Sequence, residues 1–390
     1  MPIDRVEAIA KIIERHPGAI ERVHALITPE RAFAAFKQIS DTRAPTLMAR
    51  HTRGRVIEGL LGAAQRDGSC AAGLRYLHNL HGSGAVALSL GASECKPIWC
   101  FAHIDTISFL SGALGAEGYA LTPFCEAKQS DGRRAAHAMA LDPDSHALST
   151  IAHGWLVTRN GAHFFDTPVR DLPLSTRVVY SSEAEWDRVT GMIHGCIDDA
   201  AGAAALTLAA MALSACDVNA LFVFNDEEEG PVAPGPQAFA RGSARLLHRT
   251  PRESLPELIT VTDTHDVGQD AGGELRAGRF GSGACFAAFA SHARGGVTPP
   301  PLLAFQRDLS RYLSGQGVRL IENGSYVGRS DDASAILATP NVALIGCPGA
   351  YAHFAQRPRI HVSDLVDLAK TLAVYCLVAQ DDAWRERVLG

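Results

Sequence analysis

The sequence predicts an α/β fold, in which a mostly parallel sheet is flanked by helices and a small β-rich domain is inserted. Two observations lead to this prediction. Short β-prone apolar runs alternate with helical patterns over residues 199–379, and such alternation is typical of a largely parallel sheet covered by helices. Residues 108–190 instead hold short strand-like runs separated by glycine, proline and aspartate, which indicates a separate β-rich unit.

The elements follow in chain order. The first 65 residues have apolar residues at three- and four-residue spacing, as in RVEAIAKIIERH and PERAFAAFKQI, and we predict helices there. The runs GAVALSLG and PIWCFAHIDTISF are typical of strands, and the second ends in His103 and Asp105. After the β-rich segment we predict a helix from Asp199, strand 219–224, helix 236–248, strand 258–263, helix 299–314, strand 342–347 and helix 363–379. The main domain therefore comprises residues 1–107 and 191–390.

Composition narrows the class of protein. A hydrophobic content of 47% and a net charge of −6 describe a globular chain with no electrostatic case for binding nucleic acid. The start, MPIDRVEAIAKIIERH, is charged from its fourth residue and lacks the apolar core of a signal peptide. Nine cysteines without a C-x-x-C pair favour reduced thiols in the cytoplasm. The uncharged run 200–216 is rich in alanine and predicts a buried helix, not a membrane anchor.

The stretch LFVFNDEEEG, residues 221–230, sets four consecutive acids against the end of an apolar strand. Like charges in such a place repel one another and are costly to bury. A bound cation or a role in proton transfer would account for them. Adjacent Glu227 and Glu228 cannot easily serve the same cation, so we expect one to bind metal and the other to move protons.

Histidines and acids recur at the ends of other predicted strands. In doubly wound sheets, functional sites form beyond the carboxyl ends of the strands, so these residues are expected to converge. Two histidines with several carboxylates suit zinc, manganese or cobalt, and a shared carboxylate would hold two ions about 3.5–4 Å apart. The residues are His103 and Asp105, Asp198 and Asp199, Glu227 and Glu228, Asp263, and His353 in the loop PGAYAHF.

Each of these residues has a structural alternative when taken singly. The acidic run could be a solvated turn, Asp198 and Asp199 could cap a helix, and His353 could be a surface histidine. Asp263 has rivals nearby in His265 and Asp266. Jointly these alternatives are improbable, because all of the residues stand at strand ends. The remaining histidines that we treat as structural are His194, His292 and His361.

The segments AHIDTISF, IDDAAGAAA, NDEEEG and TDTHD, in this order, resemble the motifs of the cocatalytic-metal aminopeptidases and their carboxypeptidase relatives. The stretch SDDASAILATPNVALIGCPGAYAHF is similar to the C-terminal part of the tetrahedral (glutamyl) aminopeptidase branch. The resemblance covers roughly residues 50–380 and leaves 1–45 as a helical extension. That branch also inserts a β-rich domain between its first two motifs and uses it in assembly, which implies a homo-oligomer.

The resemblance implies a role for each matched position. His103, Asp198, Glu228, Asp263 and His353 would bind one or two divalent ions (Zn, Mn or Co), with Asp198 shared between them. Glu227 would be the general base that takes a proton from the attacking water. Asp105 would orient His103, as a carboxylate behind a metal-binding imidazole does.

The resemblance implies a metal-dependent hydrolase of C–N bonds, an aminopeptidase acting on short peptides. Ala200 stands where the branch usually has an arginine, and the proline-rich stretch 231–236 also departs from it. These changes surround the pocket, so a second hypothesis is an aminohydrolase of a small carboxylate-bearing compound, such as an aminobenzoate of the nitroanthranilate type. Arg294 and Arg329 are candidates to bind a substrate carboxylate, although either could be a surface residue. A third, remote hypothesis is a catalytically inactive scaffold.

Overall fold

The computed structural model describes residues 5–124, 130–142, 144–145, 147–230, 240–269, 276, 279–290, 295–324 and 328–390. The proline-rich stretch 231–236 and Arg294 lie outside the described residues.

The N-terminal segment is helical, as its apolar spacing predicts. Its helices are α1 (Arg5–Ile13), α2 (Ala19–Leu26), α3 (Pro29–Asp41) and α4 (Arg53–Arg66). Thr28 caps α3 by accepting a hydrogen bond from the Arg31 N–H at 3.3 Å. The apolar face of α3, including Phe36 and Ile39, is buried in the main hydrophobic core, so these helices cover one face of the sheet.

The strands of the described residues form a large mixed sheet and a closed barrel. They are β1 (Arg75–Leu77), β2 (Val86–Leu90), β3 (Ile98–His103), β4 (Ser108–Gly115), β5 (Gly118–Pro123), β6 (Gly132–Leu141), β7 (Leu148–Arg159), β8 (Ala162–Asp166), β9 (Arg177–Tyr180), β10 (Glu185–Trp186), β11 (Met192–His194), β12 (Ala220–Asn225), β13 (Leu258–Asp266), β14 (Ala284–Ala287), β15 (Leu320–Glu322), β16 (Val342–Ala350) and β17 (Arg359–His361).

The middle of the large sheet is parallel, which confirms the predicted α/β fold class. Its path is β1-β2-β12-β3-β13-β16-β17-β11-β10, and β14 pairs with β16 and β15. Strands β12, β3, β13 and β16 run in the same direction, while β2 and β17 join them antiparallel on either side. The four parallel strands therefore end at one edge of the sheet.

Helices cover the faces of this sheet. The remaining ones are α5 (Ala200–Leu213), α6 (Arg241–Arg249), α7 (Pro300–Gly315), α8 (Asp332–Ala335), α9 (Val362–Val378) and α10 (Asp382–Val388). The alanine-rich α5 is buried almost all round, as predicted, and its small side chains let it pack closely. A Cβ at Gly202 would lie 2.4 Å from the Thr262 hydroxyl, so α5 approaches β13 only with glycine there. No helix in the described ranges is long and apolar enough to cross a membrane.

The inserted segment contains a six-stranded barrel in the order β4-β5-β8-β7-β6-β9, which closes by pairing of β4 with β9. Its interior is a separate apolar cluster that includes Phe109, Tyr119 and Phe165. The barrel strands run from Ser108 to Tyr180. The last residues of the predicted segment 108–190 differ, because β10 pairs with β11 in the large sheet.

Candidate metal centre

The candidate metal centre lies at the edge of the sheet where the parallel strands end. His103 is the last residue of β3, and Asp263 lies in β13, which runs parallel to β3. Asp198 directly precedes the α5 cap, and His353 lies in the connection from β16 to β17. These positions are distant in sequence but close in space, because the residues that follow parallel strands lie at the same edge of the sheet.

The first set of possible ligands is His103, Asp198 and Asp263, here called the His103 group. Nε2 of His103 lies 2.9 Å from Oδ1 of Asp198. One nitrogen or oxygen atom from each of the three side chains lies within 4.8 Å of the others. His103 and Asp198 are buried, whereas Asp263 is half-buried, so the group is open toward one side.

The second set is Asp198, Glu229 and His353, here called the His353 group. Nε2 of His353 lies 3.1 Å from Oδ2 of Asp198 and 3.7 Å from Oε2 of Glu229. These three side chains also offer ligand atoms within 4.8 Å of one another. Asp198 thus presents one carboxylate oxygen to each group, and Glu229 is a residue that the sequence reasoning did not select.

The four consecutive acids have different surroundings. The Asp226 carboxylate accepts hydrogen bonds from the backbone N–H groups of Leu47 and Ala49, at 2.8 and 3.0 Å. Glu227 accepts two hydrogen bonds from Nη2 of Arg245, each 2.9 Å long. The predicted general base is therefore engaged in an ion pair, and neither of these two acids belongs to the His103 group or the His353 group.

Glu228 lies next to both groups without being part of either. Its Oε2 is 3.9 Å from Nε2 of His103, and its backbone N–H donates to Oδ1 of Asp105 at 3.1 Å. Burial raises the pKa of the Glu228 carboxyl well above its usual range, and the nearby charges of Asp263 and Glu229 raise it further while His103 opposes them. Glu228, which was predicted to be a ligand, thus lies beside the two groups as a buried carboxyl that belongs to neither.

The acids near the two groups lie one position further along the chain than predicted, and the repeated glutamates of the acidic run explain this shift. The sequence DEEEG allows Glu227 and Glu228, or Glu228 and Glu229, to be the functional pair. The signal that separates them is Arg245 on α6, which pairs with Glu227. That contact joins residues 18 positions apart, and sequence spacing alone does not reveal it.

Asp105, which was predicted to orient His103, lies beside its ring. Nδ1 of His103 lies 3.2 Å from the backbone oxygen of Asp105 and 3.5 Å from its Oδ1. The Asp105 carboxylate also accepts from the Thr46 hydroxyl at 2.8 Å. Asp199 instead caps α5 by accepting from the Gly202 N–H at 2.8 Å, so the capping alternative applies to the second acid of the pair.

The centre carries more negative charge than its two histidines compensate. Burial raises the pKa of Glu229 to about 8 and that of Asp263 to about 7, and the charge of Asp198 adds to both shifts. Burial also opposes the charge of Asp198, but hydrogen bonds to His103 and His353 hold its pKa well below the usual range. Burial lowers the pKa of His353, whereas Glu229 and Asp198 raise it to about 9 overall.

A cleft of about 830 Å³ opens onto the centre. Asp198, Asp263 and His353 line it together with Arg329 and Tyr351. Arg329 is half-buried, so this candidate for binding a substrate carboxylate does lie at the site.

No protein-family model matches the sequence, and no curated protein matches it. Solved structures do match. An aminopeptidase from the archaeon Desulfurococcus kamchatkensis superposes with a TM-score of 0.69 at 16% identity, over 93% of this chain and 98% of that one. A TET aminopeptidase from a marine sediment archaeon of the Thaumarchaeota gives 0.69 at 14% identity, over 92% and 98%.

The TET1 peptidase of Pyrococcus horikoshii, described as able to assemble into a tetrahedron or a large octahedral shell, is also similar. It gives a TM-score of 0.65 at 15% identity, over 88% of this chain and 99% of that one. The resemblance drawn from the motifs is thus confirmed at the level of the fold. The chain has the fold of the tetrahedral aminopeptidases.

Proposed function

We propose that the protein is a divalent-metal-dependent hydrolase of C–N bonds, of the aminopeptidase type, acting on short peptides. The observation that carries the proposal is the Asp198 carboxylate, whose two oxygens lie 2.9 Å from His103 and 3.1 Å from His353. A carboxylate placed between two nitrogen and oxygen ligand sets is the arrangement of two-metal hydrolytic sites.

The donor atoms fit such ions. Each group offers one imidazole and two carboxylates, a set that suits zinc, manganese or cobalt rather than a site built from thiolates. The raised pKa values of Glu229 and Asp263 point the same way, because burial and mutual repulsion penalise their charges and a cation would remove that penalty. His103, Asp263 and Asp198 would hold one ion, and His353, Glu229 and Asp198 the other.

Bound ions of this kind polarise a scissile carbonyl group and make water more acidic. The general base in our proposal is Glu228, whose Oε2 lies 3.9 Å from Nε2 of His103, whereas Glu227 pairs with Arg245. Its carboxylate would accept the proton of the attacking water and pass it to the leaving amine. Asp105 would hold both His103, through Nδ1, and Glu228, through its backbone N–H, so that the base and the ligand keep a fixed relation.

The small-molecule alternative rests on Arg329. Arg329 lines the same cleft as Asp198 and His353, and the planar guanidinium of an arginine can bind both oxygens of a carboxylate. An aminobenzoate bound there would place its carboxylate on Arg329 and its C–N bond toward the centre.

One assay separates the two candidates. Metal-loaded protein would be given dipeptides with free and acetylated N-termini, and separately aminobenzoates, with free amino acids and ammonia measured as products. We expect cleavage of free dipeptides and none of the acetylated ones. Ammonia release from aminobenzoates without peptide cleavage would refute the peptidase and support the alternative, and inactivity toward both would support a scaffold.

We further propose that the chain forms a homo-oligomer to which the barrel contributes. Leu141, Ile151 and Trp155 of β6 and β7 have exposed fractions of 40%, 39% and 45%, and exposed apolar side chains on neighbouring strands favour an interface. The similar TET1 peptidase forms shells. A cytoplasmic location stays a prediction, with which the eight free cysteines of the described residues agree.

A further inference from the structure

The segment that carries His353 has an irregular backbone and lies between two strands. Residues 351–358, here called the His353 loop, connect β16 to β17. Tyr351 and Phe354 both have a φ of 61°, a left-handed conformation that non-glycine residues adopt only when their surroundings hold them. The Phe354 N–H donates to the Tyr351 oxygen at 2.8 Å, which closes a turn around His353.

A side chain of the barrel contacts this turn. Nε of Arg134 in β6 donates to the Phe354 backbone oxygen at 2.6 Å, and its Nη2 donates to the Ala355 oxygen at 3.1 Å. The opposite side of the guanidinium is fixed by Ser130, whose backbone and side-chain oxygens accept at 3.1 and 3.0 Å. One planar group therefore joins the barrel to the two residues that directly follow His353.

The Phe354 side chain makes a second connection to the barrel. Its ring stacks on that of Tyr180 in β9, with centroids 4.6 Å apart and an interplanar angle of 22°, and it packs against the apolar cluster inside the barrel. The barrel thus holds both the backbone and the side chain of the residue after His353.

His353 is held less firmly by its own surroundings than His103, the histidine of the other group. The side chain of His103 is 1% exposed and belongs to the central strand β3, whereas that of His353 is 40% exposed and belongs to a loop. Since Nε2 of His353 lies 3.1 Å from Asp198, a small displacement of the loop would separate them.

We infer that Arg134 is a positioning residue for His353, so that the inserted barrel sets the metal affinity of the His353 group. The inference rests on the metal centre of the proposed function and adds a role for the barrel beyond assembly. Outer residues that fix a ligand's orientation typically change metal affinity by about 10–100-fold. Loss of Arg134 should therefore weaken one of two bound ions and leave the ion of the His103 group unaffected.

The test compares Arg134→Ala with Arg134→Lys and with Arg133→Ala. Arg133 precedes Arg134 on β6, but it pairs with Asp166 at 2.9 Å and lies over the Trp155 ring, so its contacts stay within the barrel. Zinc titrations by calorimetry should show about a tenfold or larger loss at one site in Arg134→Ala, partial recovery in Arg134→Lys, and wild-type behaviour in Arg133→Ala. Two ions bound with wild-type affinity by Arg134→Ala would overturn the inference.

Digestion of chelator-treated protein with chymotrypsin gives a readout that does not depend on metal. Cleavage after Tyr351 or Phe354 should be faster in Arg134→Ala than in the wild type or Arg133→Ala. If Arg134→Ala is cleaved faster but the protein binds no zinc, the proposed metal-dependent function is wrong while Arg134 still positions the loop. If Arg134→Ala and the wild type are cleaved at equal rates, Arg134 does not position the loop. If Arg134→Ala does not fold, Phe354→Ala removes the ring contact instead and should likewise weaken one ion, while unchanged affinity would contradict the inference.

Discussion

Replacement of Glu228 by glutamine tests which acid of the run 226–229 acts as the base. The amide keeps the volume of the side chain and cannot accept the proton, and the backbone N–H still donates to Asp105. Loss of a positioned general base typically reduces turnover by about 10²–10⁴, which corresponds to about 2.7–5.4 kcal/mol of transition-state stabilisation. Zinc binding should stay close to that of the wild type, because Glu228 belongs to neither ligand group.

Two matched variants complete the assay, which measures kcat on a chromogenic aminoacyl anilide and zinc stoichiometry on the same samples. Glu227→Gln alters the ion pair with Arg245 and should leave turnover largely intact. Glu229→Gln should weaken the ion of the His353 group. Loss of turnover in Glu227→Gln together with full activity in Glu228→Gln would show that Glu227 is the base, as first predicted from the sequence.

Four other measurements have expected outcomes. Asp198→Ala removes the carboxylate common to both groups and should weaken both ions in a zinc titration, and unchanged binding of two ions would contradict this. In chelator-treated protein, burial raises the pKa of Glu229 to about 8 and Glu229 with Asp198 raises that of His353 to about 9. The folded chain then binds more protons than the unfolded chain, so the free energy of unfolding should fall as the pH rises from about 6.5 to about 8. Denaturant titrations in which this free energy rises with pH would contradict the proposed surroundings of Glu229 and His353. Arg329→Ala should raise KM for substrates that bear a carboxylate with little change in kcat, and an equal KM for charged and uncharged substrates in both proteins would exclude Arg329 from recognition. Light scattering should give a mass above the 41.4 kDa of one chain, and a monomer would contradict the proposed assembly.

The central sheet was predictable because local pattern and topology agree there. Apolar runs such as LFVFN are buried on both faces in parallel strands, and the sequence places strands 219–224, 258–263 and 342–347 close to their observed bounds. Strands β13 and β16 extend three residues further than expected, to Asp266 and Ala350. These extensions contain polar residues and glycine, so the apolar pattern from which the strands were predicted does not include them.

The details that the sequence did not predict depend on tertiary contacts. Arg245 contacts Glu227 from α6, and Arg134 reaches the His353 loop from a strand more than 200 positions earlier. The place where the barrel strands end also depends on such contacts. Glu185 and Trp186 look like the preceding short strands in sequence, but they pair with β11 of the large sheet.

The two-ion arrangement can be tested by anomalous scattering from crystals grown with zinc or manganese. We expect two peaks on either side of Asp198, one ligated by His103 and Asp263 and the other by Glu229 and His353, with Glu227 paired with Arg245 and away from both. A single ion, or an ion ligated by Glu227 or Glu228 in place of Glu229, would contradict it.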